Sequence, residues 1–345
     1  MRILVTGHLG YLGSVMAARF LEAGHQVTGL DNGYFAECLF TPAPPAVPEL
    51  RRDLREVTVR DLESFDAVVH LAALSNDPLG NLNESWTRDI NHVAAVRLAE
   101  LARAAGVGRF LFSSSCIMYG ASEAAEVNED APLDPRTVYA RSKVDAERGI
   151  AALATRDFSP TFLRNGTVYG ISPRMRFDTV LNNLTGSAMA TGCVTIRGDG
   201  SPWRPVVHIE DVASVFLAAL EAPRERLHNQ ALNAAAASVN HQVIELARAV
   251  VAAVPGARLE CLGEPDADRR TYKANFDKIA RLLPEFRLRW SVEAGVDQLV
   301  REFRGRGLSE AEFTSPRFTR MKWLSGLIES RRVDEELRLR AEVAA

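Results

Sequence analysis

The chain has 345 residues with 25% charged residues and a net charge of −3, a balance that offers no basic surface for nucleic acid. No apolar run approaches the ~20 residues of a membrane-spanning helix, so a membrane is not an expected partner either. The opening stretch MRILVTG enters a strand pattern with no signal-peptide region. Four widely spaced cysteines form no metal-binding spacing, which predicts free thiols, no metal site and a cytoplasmic protein.

Short apolar runs alternate with helical patterns through the first half of the chain. The runs predict buried parallel strands at residues 2–6, 26–30, 67–72, 109–114 and 160–164. Helical periodicity covers 14–23 and 84–105, each followed by a glycine that can end a helix, and 41–50 is a proline-rich loop. This alternation predicts an α/β fold with a doubly wound parallel sheet of the Rossmann type.

The pattern changes at about residue 171, where strands become sparse. Amphipathic helices are predicted at 240–254 and 291–304, and two more in 309–345, where mixed charges indicate a solvated surface. We therefore expect two domains. A nucleotide-binding domain covers 1–170 with part of 205–240, and a smaller, mostly helical substrate-binding domain is formed by 171–204 and 241–345.

The stretch VTGHLGYLGS places Gly7, Gly10 and Gly13 between the first strand and the first helix. Glycines there permit a tight turn and let backbone N–H groups approach a pyrophosphate at the positive end of the helix. Asp31 ends the second strand, where a carboxylate binds ribose hydroxyls and repels a 2′-phosphate. The spacing predicts NAD rather than NADP as cofactor. Three neighbours complete the predicted cradle: Tyr11, Leu12 and Asn32.

Tyr139 and Lys143 lie four residues apart in TVYARSKVDAE, on one face of a predicted helix. The pKa of a free tyrosine is about 10, so the phenol alone is a poor base near neutral pH. A nearby ammonium group and a positive nicotinamide ring favour the phenolate and lower that pKa. Tyrosine–lysine pairs are also common on exposed helix surfaces, so the pair by itself leaves both interpretations open.

Taken together, the motifs resemble those of the extended short-chain dehydrogenase/reductase superfamily, and within it the NAD-dependent nucleotide-sugar epimerases and dehydratases. The resemblance covers nearly the whole chain. It rests on the glycine motif, Asp31, Asp53–Leu54, HLAA (70–73), Asn91, SSSCIMYG (113–120), the Tyr139/Lys143 pair, RNGTVYG (164–170) and RPVVHIEDV (204–212).

The resemblance implies a role for each matching position. Ser115, Tyr139 and Lys143 are implied as the catalytic residues, with Ser115 placed to hydrogen-bond the sugar hydroxyl that is oxidised. The implied cofactor contacts are Asp53 and Leu54 at the adenine, Leu71, Ala72 and Ala73 along the groove, Asn91 supporting the active-site helix, and Ser113 beside the nicotinamide.

A nucleotide-diphosphate sugar is the substrate that the resemblance implies. Asn183 and Arg204 match positions that bind the diphosphate, and a guanidinium fork suits phosphate oxygens. Arg270 is a second candidate, with Arg269 as the alternative in a loose register. Thr167 stands where many relatives carry asparagine. In SPRMRFD, Arg174 and Arg176 either reach the sugar or line the loop.

Cys116 and Ile117 occupy the two positions at which the sugar 4,6-dehydratases carry an Asp–Glu pair. Ile117 cannot act as a base, which argues against 4,6-dehydration and against UDP-glucuronate decarboxylation. The GDP-mannose 3,5-epimerases use a catalytic cysteine, but one residue later. Cys116 is therefore either a substrate-contacting acid or base, or a small buried packing residue, and we favour packing.

The motifs predict an NAD-dependent nucleotide-sugar epimerase, most simply acting at C4 through a transient 4-keto sugar. The main alternative is a 4-ketosugar reductase or a sugar 4-dehydrogenase, which would use the same residues. A 3,5-epimerase and a non-catalytic NAD-binding protein are less favoured. In the resembling family, helices equivalent to 84–105 and 136–154 pair across a two-fold axis, so a homodimer is expected.

Overall fold

The computed structural model describes residues 1–122, 126–263 and 271–340. The strands within these ranges are β1 Arg2–Thr6, β2 Gln26–Asp31, β3 Glu49–Arg51, β4 Ala67–His70, β5 Arg109–Ser115, β6 Ser159–Asn165, β7 Thr167–Tyr169, β8 Cys193–Ile196, β9 Trp203–His208, β10 Gln230–Asn233, β11 Asn240–Gln242 and β12 Arg258–Cys261.

The α-helices in the same ranges are α1 Tyr11–Glu22, α2 Asp77–Gly80, α3 Glu84–Arg88, α4 Ala94–Ala104, α5 Val138–Ala151, α6 Val180–Thr191, α7 Ile209–Glu221, α8 Arg224–Leu227, α9 Val243–Ala253, α10 Asp277–Leu282, α11 Val292–Arg306, α12 Glu310–Phe313 and α13 Arg320–Glu329. A π-helical turn, Asp89–Val93, joins α3 to α4. No described helix has the length and apolar character that crossing a membrane would require.

Seven parallel strands form the central sheet in the order β10-β6-β5-β4-β1-β2-β3. Side chains alternate between the two faces because a strand has a period of two. Ile3 and Val5 join an apolar cluster with Phe216 of α7. Leu4 points the other way and joins a cluster with Leu98 of α4. Both faces are thus covered by helices, which confirms the doubly wound fold.

The order of strands reverses direction at β1. The chain runs from β1 outward to β2 and β3, then returns to β4, which pairs with the other side of β1. In such sheets a crevice opens at the carboxyl ends of the strands where the order reverses. All five predicted strands are present in the sheet. The two edge strands β3 and β10 were not predicted.

A third apolar cluster lies among α6, α9 and α11, around the aromatic rings of Phe40, Phe177, Phe303 and Phe318. The Phe40 ring meets the other three edge to face, with centroids 5.3–5.8 Å apart. Short strands accompany the predicted helices. Strands β7, β9 and β11 form one small sheet, and β8 and β12 form another.

The last described stretch, residues 316–340, is called here the C-terminal segment. Its Leu324 and Leu327 are buried in one cluster with Leu74 and Leu79 of the main domain. The indole of Trp323 donates a hydrogen bond to the carbonyl of Tyr34 at 2.6 Å. The expectation of a solvated surface is therefore wrong for this segment, since its apolar face is needed to cover the loops after β2 and β4.

Candidate active site

A cleft of about 770 Å³ opens at the carboxyl ends of the central strands. Its walls come from the loops after β1, β2 and β4, the ends of β5 and β6, and α5. Nearly all predicted site residues among the described ranges line it: Gly7, Gly10, Tyr11, Leu12, Gly13, Asp31, Asn32, Asp53, Leu54, Leu71, Ala72, Ala73, Ser113, Ser115, Tyr139, Lys143, Thr167, Asn183 and Arg204. Arg269 and Arg270 lie outside the described residues.

In the glycine turn, the backbone of Gly7 lies close to the backbones of Gly13 and Ala72. Gly7 has φ +74°, and a Cβ there would lie 2.8 Å from the backbone nitrogen of Ala72. A Cβ on Gly13 would lie 2.1 Å from the carbonyl oxygen of Gly7. Because side chains are excluded, the N-terminus of α1 stays open to the cleft. This cradle fits the pyrophosphate of a dinucleotide.

Asp31 connects the glycine turn to the loop after β2. Its Oδ1 accepts a hydrogen bond from the Gly33 N–H at 2.7 Å, and its Oδ2 accepts one from the Leu9 N–H at 3.1 Å. Burial raises the pKa of this carboxyl group, and the two N–H donors oppose that shift. The carboxylate is thus fixed in the cleft wall where it would meet a 2′-phosphate.

Asp53 is held by a partner that the sequence did not predict. Its two oxygens accept hydrogen bonds from the guanidinium of Arg55 at 2.9 and 2.8 Å. The same guanidinium donates to the carbonyls of Glu336 and Leu337 at 2.7 and 3.2 Å. The expected adenine end of the cleft is thereby tied to the C-terminal segment.

The three predicted catalytic residues converge. Ser115, at the end of β5, and Tyr139, in the first turn of α5, line the same cleft, and the Ser115 hydroxyl is near enough to lower the pKa of Tyr139. Lys143 is buried, with Nζ 5.9 Å from the Tyr139 ring centroid and donating to the carbonyl of Ser113 at 2.8 Å. Since Lys143 is only 4% exposed, the two residues are not an ordinary surface pair.

The surroundings of Tyr139 make its phenol difficult to ionise. Burial raises the pKa of Tyr139 to about 12, and Asp77 adds to the rise, while Arg176 and the nearby Ser115 hydroxyl lower it. Burial also lowers the pKa of Lys143 to about 8, so this lysine still carries charge at neutral pH. Further positive charge in the cleft would bring Tyr139 toward the phenolate.

Asp77 and Arg176 are functional candidates that the sequence left unidentified or undecided. Asp77 accepts a hydrogen bond from Thr137, the N-cap residue of α5, at 2.6 Å. Arg176 lines the cleft, pairs with Asp178 at 2.6 Å and donates to Ser75 at 3.2 Å. No local pattern marks Asp77, because its position beside Tyr139 arises from packing of α2 on α5.

Asn91 lies behind the cleft wall. In the π-helical turn, its amide accepts from the Leu74 N–H at 2.8 Å and donates to the Leu74 carbonyl at 3.0 Å and to Ser142 at 3.3 Å. These contacts join the loop after β4 to α5. Asn91 is absent from the cleft lining, so the structure corrects its expected cofactor contact to a supporting position.

Cys116 is also away from the cleft lining, which argues against the expected substrate contact. The residue is 0% exposed, and its thiol donates to the carbonyl of Arg164 at 3.1 Å. Burial raises the pKa of the thiol to about 12, so it is protonated at neutral pH. Ile117 lines the cleft instead.

The far end of the cleft holds the expected substrate residues. Thr167, Asn183 and Arg204 line it together with Arg197, which the sequence did not indicate. The Asn183 amide donates to the carbonyl of Phe177 at 3.0 Å, which fixes its orientation.

Comparison with known proteins agrees with this geometry. The model of the NAD dependent epimerase/dehydratase family matches residues 3–235. A UDP-glucose 4-epimerase of Corynebacterium glutamicum is 33% identical over 270 residues, covering 72% of this chain and 80% of that protein.

Two solved structures have similar folds. The NAD-dependent NDP-hexosamine 5,6-dehydratase TunA of tunicamycin biosynthesis superposes with a TM-score of 0.80 at 26% identity, over 89% of this chain and 99% of that one. MoeE5, solved with UDP-glucose and NAD, gives 0.77 at 29% identity, over 90% of this chain and all of that one.

The fold and the site define a dinucleotide-dependent enzyme of the short-chain dehydrogenase/reductase type. The chain belongs to the NAD-dependent epimerase/dehydratase family. Its cofactor is NAD, and the glycine cradle with Asp31 fits that cofactor.

We predict that charges at Asp77 and Arg176 move the acidic limb of the pH–rate profile in opposite directions. Asp77→Asn removes a negative charge, lowers the pKa of Tyr139 and makes the base available at lower pH. Arg176→Gln does the reverse. A shift of roughly one pH unit is expected for a neighbouring charge. The measurement is kcat/KM against pH.

The matched control is Asp145→Asn, which removes an exposed carboxylate from the same helix as Tyr139. This variant should keep the wild-type profile. Shifts of Asp77→Asn and Arg176→Gln in the same direction would contradict the assignment of Tyr139 as the titrating base.

Proposed function

We propose that this protein is an NAD-dependent nucleotide-sugar 4-epimerase acting on a UDP-sugar through a transient 4-keto intermediate. The observation that carries the proposal is the convergence of Ser115, Tyr139 and the buried Lys143 in one cleft, with Lys143 Nζ 5.9 Å from the Tyr139 ring centroid. The 33% identity to a UDP-glucose 4-epimerase supports the substrate class.

The chain's own residues have separate tasks in this mechanism. Oη of Tyr139, as the phenolate, removes the proton of the C4 hydroxyl, and Ser115 hydrogen-bonds to the same oxygen. Arg176 supplies positive charge that stabilises the phenolate, and Asp77 opposes it. The ammonium group of Lys143, 5.9 Å from the Tyr139 ring centroid, adds positive charge beside the ring. NAD, when bound, would supply the hydride acceptor and donor for the sugar carbon. Tyr139 gives back its proton once the 4-keto sugar has presented its other face.

A dehydratase is the second candidate, because the similar structure TunA is a 5,6-dehydratase. Elimination of water from a 4-keto sugar needs a base that removes a proton from carbon. Ile117, the next residue after Ser115 in the sequence that lines the cleft, has no group for that task. A reductase or a 4-dehydrogenase would use the same three residues and differs in net consumption of cofactor.

The proposal is tested by incubating the purified protein with UDP-, dTDP-, CDP- and GDP-sugars under mass and NMR readout. We expect a UDP-sugar to give its C4 epimer at unchanged mass and without net NADH.

Tyr139→Phe should lower the rate by about 10² to 10⁴ with NAD content unchanged, because the proton acceptor is lost.

Tyr119→Phe is the matched control, since its hydroxyl hydrogen-bonds Asn233 at 2.8 Å, away from the cleft lining. It should cost stability but little turnover per folded molecule. A product lighter by one water, net accumulation of NADH, or wild-type turnover in Tyr139→Phe would overturn the epimerase.

We propose that Cys116 is a packing residue. Cys116→Ser should then keep the rate within a few-fold of wild type, and Cys116→Ala should lower the free energy of unfolding by about 1–2 kcal/mol. Iodoacetamide should label the exposed Cys261 quickly and Cys116 slowly. A hundredfold rate loss in a folded Cys116→Ser protein would move the function toward the 3,5-epimerases.

We also propose the domain division expected from the sequence. Two apolar clusters cover the faces of the central sheet, and a third surrounds α6, α9 and α11, which supports separate cofactor-binding and substrate-binding parts.

The four free thiols support a reducing, cytoplasmic location.

A homodimer through α4 and α5 is a further proposal. These helices pack tightly, since a Cβ on Gly149 would lie 2.5 Å from the Val96 side chain. Val93 beside them is 44% exposed. Light scattering should give twice the 37.9 kDa of the chain, and Val93→Glu should shift the mass toward the monomer. A wild-type protein of 37.9 kDa at micromolar concentration would contradict the dimer.

A further inference from the structure

Arg320 is a buried arginine in the cleft wall that the sequence did not indicate. It begins α13, lines the cleft and is 2% exposed. Its Nη2 donates to the carbonyl of Arg174 at 2.6 Å, and its guanidinium lies 4.5 Å from the Phe35 ring centroid. Its Nη1 is buried with no hydrogen-bond partner among the described residues. A buried cationic donor of this kind is costly unless a ligand pairs with it.

The surroundings of Arg320 contain more positive than negative charge. Arg174 and Arg176 are buried beside it, and Arg174 has two further unpartnered nitrogens among the described residues. Asp178 accepts from Arg176 at 2.6 Å and from the Arg320 backbone N–H at 3.3 Å. Asp178 thus hydrogen-bonds to two members of a cluster of three guanidinium-bearing residues, while Asp31 and Glu49 act on Arg174 only through their charge. Burial and Arg176 lower the pKa of Arg320 to about 10, which leaves it charged at neutral pH. The cluster is complementary to an anion.

Arg320 lies on the side of the cleft that is expected to bind the cofactor. Phe35, which its guanidinium covers, lies in the loop after Asp31. Tyr11, in the first turn of α1, is near enough for the charge of Arg320 to lower its pKa. A dinucleotide that extends from Asp31 to Tyr139 must carry its pyrophosphate past the N-terminus of α1. The expected ligands of the substrate diphosphate, Asn183 and Arg204, belong to other elements.

The segment that carries Arg320 is fastened on both sides of the cleft. Trp323 bonds to the Tyr34 carbonyl after β2, and Leu324 and Leu327 pack against Leu74 after β4. Arg338 pairs with Glu56 at 2.5 Å at the adenine end. Contacts to both loops make the segment a cover over the groove between them.

We propose that Arg320 binds a pyrophosphate oxygen of NAD, so that the C-terminal segment retains the cofactor in the cleft. Guanidinium–phosphate hydrogen bonds are charge-assisted and strong. Release of NAD then requires this contact to break as the segment moves. The inference concerns cofactor retention, goes beyond the proposed epimerase activity and does not depend on which sugar is bound.

The test follows release of NAD from the holoenzyme, by chasing with excess ADP-ribose, and the binding of ADP, adenosine and UDP to cofactor-free protein by calorimetry. Arg320→Gln should speed NAD release and weaken ADP binding by about 10- to 100-fold, the range for a hydrogen bond to a charged group. Adenosine and UDP should bind as in the wild type, because neither reaches the proposed contact.

Two further variants control the test. Arg320→Lys keeps the charge without the planar fork and should show a smaller loss than Arg320→Gln. Lys322→Gln removes an exposed cation from the same helix and should change nothing. Unchanged NAD release and ADP affinity in a folded Arg320→Gln protein would overturn the proposal. A loss of UDP affinity alone would assign the guanidinium to the substrate diphosphate instead, and would overturn it equally.

Hydrogen exchange of the wild-type protein makes the test independent of whether the variants fold. ADP and NAD should slow exchange of the α13 amides, and adenosine should not. Equal exchange of the α13 amides with and without ADP would refute the proposed contact between Arg320 and the pyrophosphate. None of these measurements uses a sugar or turnover, so their failure is separate from failure of the proposed epimerase.

Discussion

The close approach of Gly7 to Gly13 and Ala72 is the constraint on which the site depends. With would-be Cβ distances of 2.1 and 2.8 Å, no side chain fits at Gly7 or Gly13 without moving β1, α1 or the loop after β4. The turn fixes the N-terminus of α1 against the ends of β1 and β4, where the strand order reverses. Asp31 is then held in place by the Leu9 N–H of the same turn. Backbone geometry thus forms the cradle that fits a dinucleotide, and the side chains of the other cleft walls surround it.

Much of this geometry could be predicted from local sequence patterns. The five main strands are apolar runs of ordinary length, and the glycine spacing lies between a strand and a helix, where only one turn geometry suits it. The i, i+4 spacing of Tyr139 and Lys143 places them on one helix face whatever the rest of the fold does. The edge strands β3 and β10 were missed because three or four residues are too short to show a period.

Features that depend on tertiary contacts could not be predicted. Asp77 influences Tyr139 only because α2 packs on α5, and Arg320 enters the cleft from a position 181 residues after Tyr139 in the sequence. Whether Cys116 faces the cleft or the core depends on how the 3-10 turn after β5 packs, and the structure buries the residue in the core. Mixed charges in the C-terminal segment suggested a solvated surface, because a charge pattern does not reveal which of its arginines is buried.

The three proposed catalytic residues also limit the reactions that this site can perform. In the proposed mechanism, Ser115, Tyr139 and Lys143 move a hydroxyl proton and support a hydride step at the adjacent carbon. Any elimination needs a second proton-transfer group facing a neighbouring carbon of the sugar. Here Ile117 faces the cleft and the thiol of Cys116 faces the core, so neither residue supplies such a group. Hydride return to the same carbon restores the cofactor, and an enzyme that restores its cofactor in each cycle gains nothing by releasing it. The proposed retention of NAD by the buried Arg320 of the C-terminal segment fits a reaction cycle that regenerates the cofactor.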